Sequence, residues 1–201
     1  MLDLLGAYLA LIILSPMIVL ATVLVRIKLG SPVIFHQTRL GCDEKPFSIY
    51  KFRTMTDKRD EAGNLLPDTQ RLTPTGEFLR RTSIDELPEL INVVRGEMSL
   101  IGPRPLLIRY LPYFSTQERV RFTVRPGMTG LAQVTGRNDL SWDQRLRSDI
   151  HYVDTLSLSN DICILFATVV CVLGRFGYRT DPCTTMLDFD AERKRSSVEM
   201  Q

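Results

Sequence analysis

From Leu4 to Val25 the chain carries no charge, and no other feature limits its fold as tightly. As a straight helix this run of 22 residues would reach about 33 Å, against a bilayer core of roughly 30 Å. Only Asp3 precedes it among charged residues, with no basic leader and no small-residue cleavage site, so it does not read as a cleavable signal peptide. Ser15 and Pro16 stand in its middle. Proline there removes one backbone hydrogen bond and favours a kink, and the Ser15 hydroxyl can turn back onto a carbonyl freed by the break. Each arm is then roughly 16 Å long and reaches only the bilayer middle. A kinked spanning helix is the simpler reading of these residues, and a helix that enters, bends and returns to the same face is geometrically open. Arg26 and Lys28 mark the exit to an interface.

A second stretch, Thr75 to Leu107, gathers acids, cations and stiff backbone. Pro88 has no N–H and is tolerated only in a first helical turn, which places a cap at Ile84 or Asp85 and a helix through Glu86–Val94. Leu87, Leu90, Ile91 and Val94 then form its buried stripe, and Gly96 its stop. Asp85 and Glu86 fall at the helix start, where Ser83-x-x-Glu86 also mimics a capping box, so the pair alone reads first as a plain cap. Gly102-Pro103-Arg104-Pro105 adds a different signal. Two prolines fix their own φ and restrict the residues before them. A guanidinium on such a backbone loses little further freedom when it grips a diphosphate in a forked way.

The remaining residues set limits. With 201 residues and a net charge of +2, the chain suits one domain and gives no case for nucleic acid. Residues 26–125 hold 17 Lys/Arg against 12 Asp/Glu, a surplus suited to an anionic substrate or lipid surface. Cys42, Cys163, Cys171 and Cys183 form no CxxC pair, and His36 and His151 are the only imidazoles, so neither zinc nor a disulfide framework is expected.

Val33–Gln37 and Phe47–Arg53 read as strands joined by a turn containing Gly41. Both faces of the second are partly apolar, so Lys51 calls for an anionic partner, structural or ligand. Asp57–Leu72 reads as a charged surface loop. Tyr110–Phe114 reads as an aromatic-proline segment at an interface, and Arg125–Gly130 as a turn. In Gln133–Asn138, Arg137 is a candidate phosphate or sugar contact. Ser141–Val153 reads as a helix with Trp142, Leu146, Ile150 and Val153 on one stripe. Ile162–Leu173 is a short apolar helix, buried or interfacial, and a candidate to pack against the bend in the first helix. Residues 175–201 read as a polar tail. The expected fold class is α+β: a mainly helical single domain with short strands, a membrane helix over residues 1–28 and a cytosolic catalytic domain over 29–201.

The ordered set Ser15-Pro16, Ile49-Tyr50-Lys51-Phe52-Arg53-Thr54-Met55, Asp85-Glu86-Leu87-Pro88, Gly102-Pro103-Arg104-Pro105, Arg125-Pro126-Gly127 and Gly136-Arg137-Asn138 resembles the monotopic phosphoglycosyl transferases. These are the small bacterial sugar transferases, and the nearest likeness is to the minimal enzymes that start N-linked glycan assembly in Campylobacter-type bacteria. The likeness covers nearly the whole chain. It implies transfer of a phospho-sugar from a UDP-sugar to a polyprenol phosphate, usually undecaprenyl phosphate, with release of UMP. It implies a re-entrant helix broken at Ser15-Pro16, interfacial helices and a monotopic seat on the cytoplasmic face of the bacterial inner membrane. It further implies Mg²⁺ held at Asp85 and Glu86, with Asp85 the nucleophile that forms an aspartyl-phosphosugar. Lys51, Arg80, Arg104 and Arg137 fall on cationic, substrate-binding positions, and downstream glycosyltransferases become candidate partners. Two features depart from the family pattern: a basic segment usually precedes the membrane helix, and Glu97 stands where Asp is more usual. Two other classes fit parts of the chain. One is direct ternary attack with Asp85 only a metal ligand, and the other a membrane-anchored module that binds nucleotide or anionic lipid without chemistry.

Overall fold

A computed structural model of the chain describes residues 2–136, 140–174 and 187–199. The elements in order are α1 (Leu2–Lys28), β1 (Ile34–Leu40), β2 (Pro46–Phe52), α2 (Asp68–Arg71), α3 (Pro74–Arg81), α4 (Glu89–Val94), β3 (Ser99–Ile101), β4 (Gly127–Thr129), α5 (Leu131–Thr135), α6 (Trp142–Asp154), α7 (Leu158–Gly174) and α8 (Phe189–Glu199), with several 3₁₀ turns between them. The expected α+β class holds: helices dominate, and the strands form two two-stranded sheets, β1–β2 and β3–β4. The chain divides into two compact units, Met1–Gln37 with Ile49–Gly96, and Thr38–Ser48 with Glu97–Gln201. The division thus falls within the segment expected to be one catalytic domain, and α1 belongs with the first unit.

In the first unit α1 runs unbroken for 27 residues with Pro16 inside it. Pro16 cannot donate to the carbonyl of Ile12, four residues earlier, and the Ser15 hydroxyl donates to that same oxygen at 2.8 Å. The expected repair is therefore made, and it lets the helix continue. Only small or branched residues on one stripe, Ala7, Ala21 and Val25, are buried, while Leu5, Ile12 and Leu20 are 69%, 71% and 69% exposed. So large a bare apolar surface belongs in lipid, not water, and the protein is membrane-associated. Ala21 and Val25 pack with Phe52 and Leu79, flanked by Ile18, Val33 and Ile84. α4 also packs along α1. Arg53 ties the end of α1 down by donating to the carbonyls of Leu29 and Ser31.

The expected strands are present but longer at the tip: β1 continues to Leu40, and β2 spans Pro46 to Phe52. The Asp57–Leu72 segment holds bridges Arg59↔Leu65 and Met55↔Leu72 and the short α2. α3 is capped by Thr73, whose hydroxyl accepts from Gly76 N. A Cβ at Gly76 would lie 1.8 Å from the Thr54 carbonyl oxygen, so only glycine lets α3 lie this close to the end of β2.

The second unit is built on two apolar clusters. One joins Leu40, Tyr110, Phe114, Phe122, Trp142, Leu146 and Phe189; the other joins Ile101, Tyr152 and Ile164. Two sequence expectations are corrected here. Tyr110–Phe114 is not a surface segment: Tyr110 is 3% and Phe114 6% exposed, because their rings stack edge-on with Trp142, Phe122 and Phe189. Nor is the C-terminal region wholly a polar tail. Phe189 is fully buried, the Trp142 ring nitrogen donates to Leu187 O, and Tyr110 donates to Asp188. One aromatic side chain anchors an otherwise polar helix, a signal that composition averages away.

α6 begins with a complete capping box, Ser141 with Gln144. Its buried residues are Trp142, Leu146, Asp149 and Tyr152, so the expected stripe turns towards two polar side chains in its second half. α7 packs on α5, β3 and β4, with Ile164 inward and Ile162, Phe166, Val169, Val170 and Leu173 exposed. The helix expected to brace the α1 bend thus makes its main contacts inside the second unit, and its outer face stays apolar.

Candidate active site

In the first unit the acid pair does not sit in the helix foreseen from Pro88. Ile84–Glu86 form a 3₁₀ turn, and α4 starts only at Glu89 with Pro88 as its cap residue. Pro88 has no N–H to offer the Ile84 carbonyl, so Leu87 N takes that oxygen instead at 3.2 Å, closing the tighter turn. Ser83 adopts a left-handed conformation with φ 56°, and its side chain makes no cap. The capping-box reading fails for this physical reason: the Glu86 side chain is engaged elsewhere. The turn also rotates the helix face. Glu89, Leu90, Asn92 and Val93 are buried, and Ile91, expected inside, is exposed. Polar Glu89 and Asn92 can take inward positions because each has a partner.

That partner for Glu89 is Lys51. Its Nζ lies 2.6 Å from Glu86 Oε1 and 3.0 Å from Glu89 Oε1, with the three side chains 17%, 23% and 3% exposed. Asn92 Oδ1 accepts from Tyr50 N at 3.1 Å, which locks α4 to β2 beside the lysine. Asp85 is itself buried, at 8% exposure. Arg80 donates from Nε to the Thr54 hydroxyl at 3.0 Å, two residues beyond the same strand. Lys51, Glu86 and Glu89 are thus brought together, with Asp85 on the same turn as Glu86. Glu89 and Asn92 were not foreseen. The usable signal was two polar residues three apart inside an apolar helix.

Among the described residues no group of three or more His, Cys, Asp or Glu is arranged to hold a metal ion. Mg²⁺ ordinarily takes one or two carboxylates, with water and substrate phosphate completing its shell. Asp85 and Glu86 fit that pattern, and one Glu86 oxygen is already held by Lys51.

In the second unit the backbone around Arg104 is fixed by close approach. Ser99 pairs with Gly127 and Ile101 with Thr129 in parallel register. Gly102 N donates to Thr129 O at 2.9 Å, and Gly127 N to Pro103 O at 3.0 Å. A Cβ on Gly127 would come within 2.1 Å of Gly102 N. The expected turn at Gly127 is therefore a strand, and glycine is needed there for contact between two backbones. Arg104 itself is exposed. Beneath it Arg121, 3% exposed, donates to the Arg104 carbonyl at 2.7 Å. The same guanidinium donates from Nε and Nη2 to Asp149 Oδ2 at 3.0 and 2.9 Å. Burial pushes the Asp149 carboxyl upward from its usual pKa, against the pull of the Arg121 charge and hydrogen bonds. One turn earlier on α6, Arg145 is half-buried; desolvation, then the charge of Arg104, lowers its pKa, while Asp149 and Glu192 counter this. A guanidinium starts so far above neutrality that it stays charged. Arg121, Asp149 and Arg145 were missed, although Asp149 stands seven residues after Trp142, on the apolar stripe. Arg137 lies outside the described residues.

Residues 1–175 match the family described as Bacterial sugar transferase. The chain belongs to that family. It is thus a phosphoglycosyl transferase. This sugar transferase is similar to an uncharacterized sugar transferase, EpsL, of Bacillus subtilis (strain 168), at 52% identity over 171 residues, 85% of each chain. It is 38% identical over 182 residues to the UDP-glucose:undecaprenyl-phosphate glucose-1-phosphate transferase of Caulobacter vibrioides, covering 86% of this chain and 68% of that one. It is 40% identical over 165 residues to the undecaprenyl-phosphate galactose phosphotransferase of Salmonella typhimurium, covering 74% of this chain but 35% of that longer protein.

Proposed function

We propose that this sugar transferase moves a phospho-sugar from a UDP-sugar to a polyprenol phosphate, with undecaprenyl phosphate the acceptor. The reading is supported by family membership and by relatives named for such transfers. The observation that carries it in this chain is the buried Asp85 on a constrained 3₁₀ turn, next to a Glu86 pinned by Lys51.

In the first step an Asp85 carboxylate oxygen bonds to the sugar-bearing phosphorus, and the bond from that phosphorus to the bridging oxygen breaks, releasing UMP. In the second a phosphate oxygen of the polyprenol phosphate attacks the same phosphorus. The acyl-phosphate bond breaks, Asp85 is regenerated, and polyprenol-diphospho-sugar leaves. Splitting the transfer in this way lets UMP depart before the lipid enters. Asp85 and Glu86 would hold Mg²⁺, which when bound neutralises diphosphate charge. Lys51 keeps Glu86 oriented. Arg80 is held by Thr54 just beyond β2, and its terminal guanidinium nitrogens, which make no hydrogen bond among the described residues, can meet an anion. Arg104, on the second unit, serves a phosphate through its own stiff backbone.

Incubating the protein with a panel of UDP-sugars and Mg²⁺ tests this reading. Mass spectrometry should show a mass gain of one phospho-sugar with the accepted donor, absent in Asp85→Asn. UMP release only when the lipid phosphate is also present, with no adduct, would point instead to direct attack.

For α1 we propose entry and exit on the cytoplasmic face of the inner membrane. The support is the exposed apolar surface, the proline, and a serine that already satisfies the orphaned carbonyl. Such a seat puts the water-soluble donor and the lipid acceptor at one surface. In Leu2→Cys protein, labelling should occur from the cytoplasmic side only; periplasmic labelling would show an ordinary span.

A further inference from the structure

We infer that Arg121 is a positioning residue for the transfer: by holding the Arg104 carbonyl it sets the place from which the Arg104 side chain reaches a phosphate. The inference deepens the function proposed above and rests on its assignment of Arg104 to a phosphate.

The Pro-Arg-Pro loop lacks the usual means of anchoring itself. Pro103 and Pro105 have no N–H, so the loop must be held largely through its carbonyls. Pro103 O accepts from Gly127 N at 3.0 Å, and Leu106 O accepts from Leu40 N at 2.9 Å. Between them Arg104 O accepts from Arg121 Nη2 at 2.7 Å. The outer two donors are backbone groups at the ends of strands. The middle donor is a side chain, so the point at which Arg104 leaves the loop depends on how firmly that side chain is itself held.

It is held on every side. Arg121 is 3% exposed, and its guanidinium carbon lies 5.7 Å from the centre of the Phe114 ring and 5.3 Å from that of Phe122. Nε and Nη2 both donate to Asp149 Oδ2, at 3.0 and 2.9 Å. Nη2 has two hydrogens, and one goes to Asp149 and the other to Arg104 O. Because these donors share one rigid plane, the carboxylate on α6 fixes the direction of the bond to the loop. A buried ion pair gives little net stability over well-packed apolar groups; what this one adds is a directed donor. Its bond to Arg104 is the shortest of the three, and it falls on the one residue of Pro-Arg-Pro that carries a charge.

The full-length protein in detergent micelles with Mg²⁺ is titrated by equilibrium dialysis with UDP and with undecaprenyl phosphate, since both carry the phosphate chemistry that Arg104 serves. The ligand that Arg104→Ala weakens becomes the probe. Arg121→Lys keeps a charge for Asp149 and loses the fixed fork. It should bind that probe about three- to tenfold more weakly, the scale of ordering one long side chain at the moment of binding. In the Arg104→Ala background the same substitution should add less than about twofold, because no guanidinium remains to be positioned. Wild-type affinity in Arg121→Lys, or equal losses in the two backgrounds, overturns the inference and leaves Arg121 a packing residue. Should Arg121→Lys fail to fold by circular dichroism, Arg121→Met combined with Asp149→Leu, which removes both charges together, is read in its place with the same outcomes. If Arg104→Ala weakens neither ligand, the assignment of Arg104 falls and the positioning role with it. The phospho-sugar adduct on Asp85 is measured separately, so loss of the transferase reading is told apart from either result.

Discussion

In the first unit one lysine is shared by two carboxylates; in the second one carboxylate is clamped by an arginine and neighboured by a second. The two centres are near mirror images in charge. Each uses a buried ion pair as scaffold. An excess of carboxylates, with Asp85 on the same turn, suits a nucleophile and a divalent cation. The contrast also lies in how stiffness is achieved: a 3₁₀ turn forced by Pro88 in one, and glycine-mediated strand contact with proline-bracketed Arg104 in the other.

The largest effect that could break this division of labour is on the acid side. Asp85→Asn should lower the rate of UMP release by about 10⁴-fold, the scale at which a nucleophile is lost from a two-step transfer. A variant with near-normal turnover would remove the chemical role from the first centre. Next comes the scaffold of the second. Asp149→Ala leaves Arg121 charged, buried and unpaired, which should cost roughly 3–5 kcal/mol of stability. Denaturant unfolding in detergent reads it, and a loss below about 1 kcal/mol would mean that water replaces the carboxylate there.

Which parts were legible in the sequence follows from the same contrast. The apolar run, the hairpin, the α6 helix and the Pro-Arg-Pro loop depend on local chemistry, and local chemistry is what a sequence displays. The Ser15 hydroxyl on the Ile12 carbonyl was readable too, because a proline names the oxygen it orphans. What was not legible depended on partners far along the chain. Glu89 and Asn92 turn inward because Lys51 and Tyr50 meet them some forty residues away in sequence. Tyr110 and Phe114 are core because Phe189 returns to them from the far end. Gly127 looked like a turn residue because close backbone approach and a turn call for the same amino acid.

A third test sharpens the comparison from the cationic side. Arg104→Ala should raise KM for the UDP-sugar about tenfold, near 1.4 kcal/mol, and Arg104→Lys by less, because lysine keeps the charge without the fork. Equal effects would show that charge alone matters, and the rigid Pro-Arg-Pro backbone would lose its purpose.

The smallest expected effect comes from Glu89→Gln, and it asks whether the first centre needs its second carboxylate as charge or as shape. Glutamine keeps an acceptor near Lys51 Nζ and nearly the same volume, so α4 should remain packed on β2 through Asn92. Losing the anion leaves Lys51 its 2.6 Å contact with Glu86 and removes one negative charge from the segment that carries Asp85. A single buried charge beside the partly exposed Lys51 and Glu86 acts through an effective dielectric near 20, so the change should be about two- to fivefold in apparent affinity. Its direction is fixed by sign. A less negative centre should demand more Mg²⁺ for half-maximal UMP release, because a dication loses part of its attraction. Stability by thermal unfolding should shift little. If Mg²⁺ dependence stays put while stability falls, Glu89 is only scaffold for Lys51. The first centre would then owe its chemistry to Asp85 and Glu86 alone, and the mirror symmetry with the arginine cluster would be one of packing, not of charge.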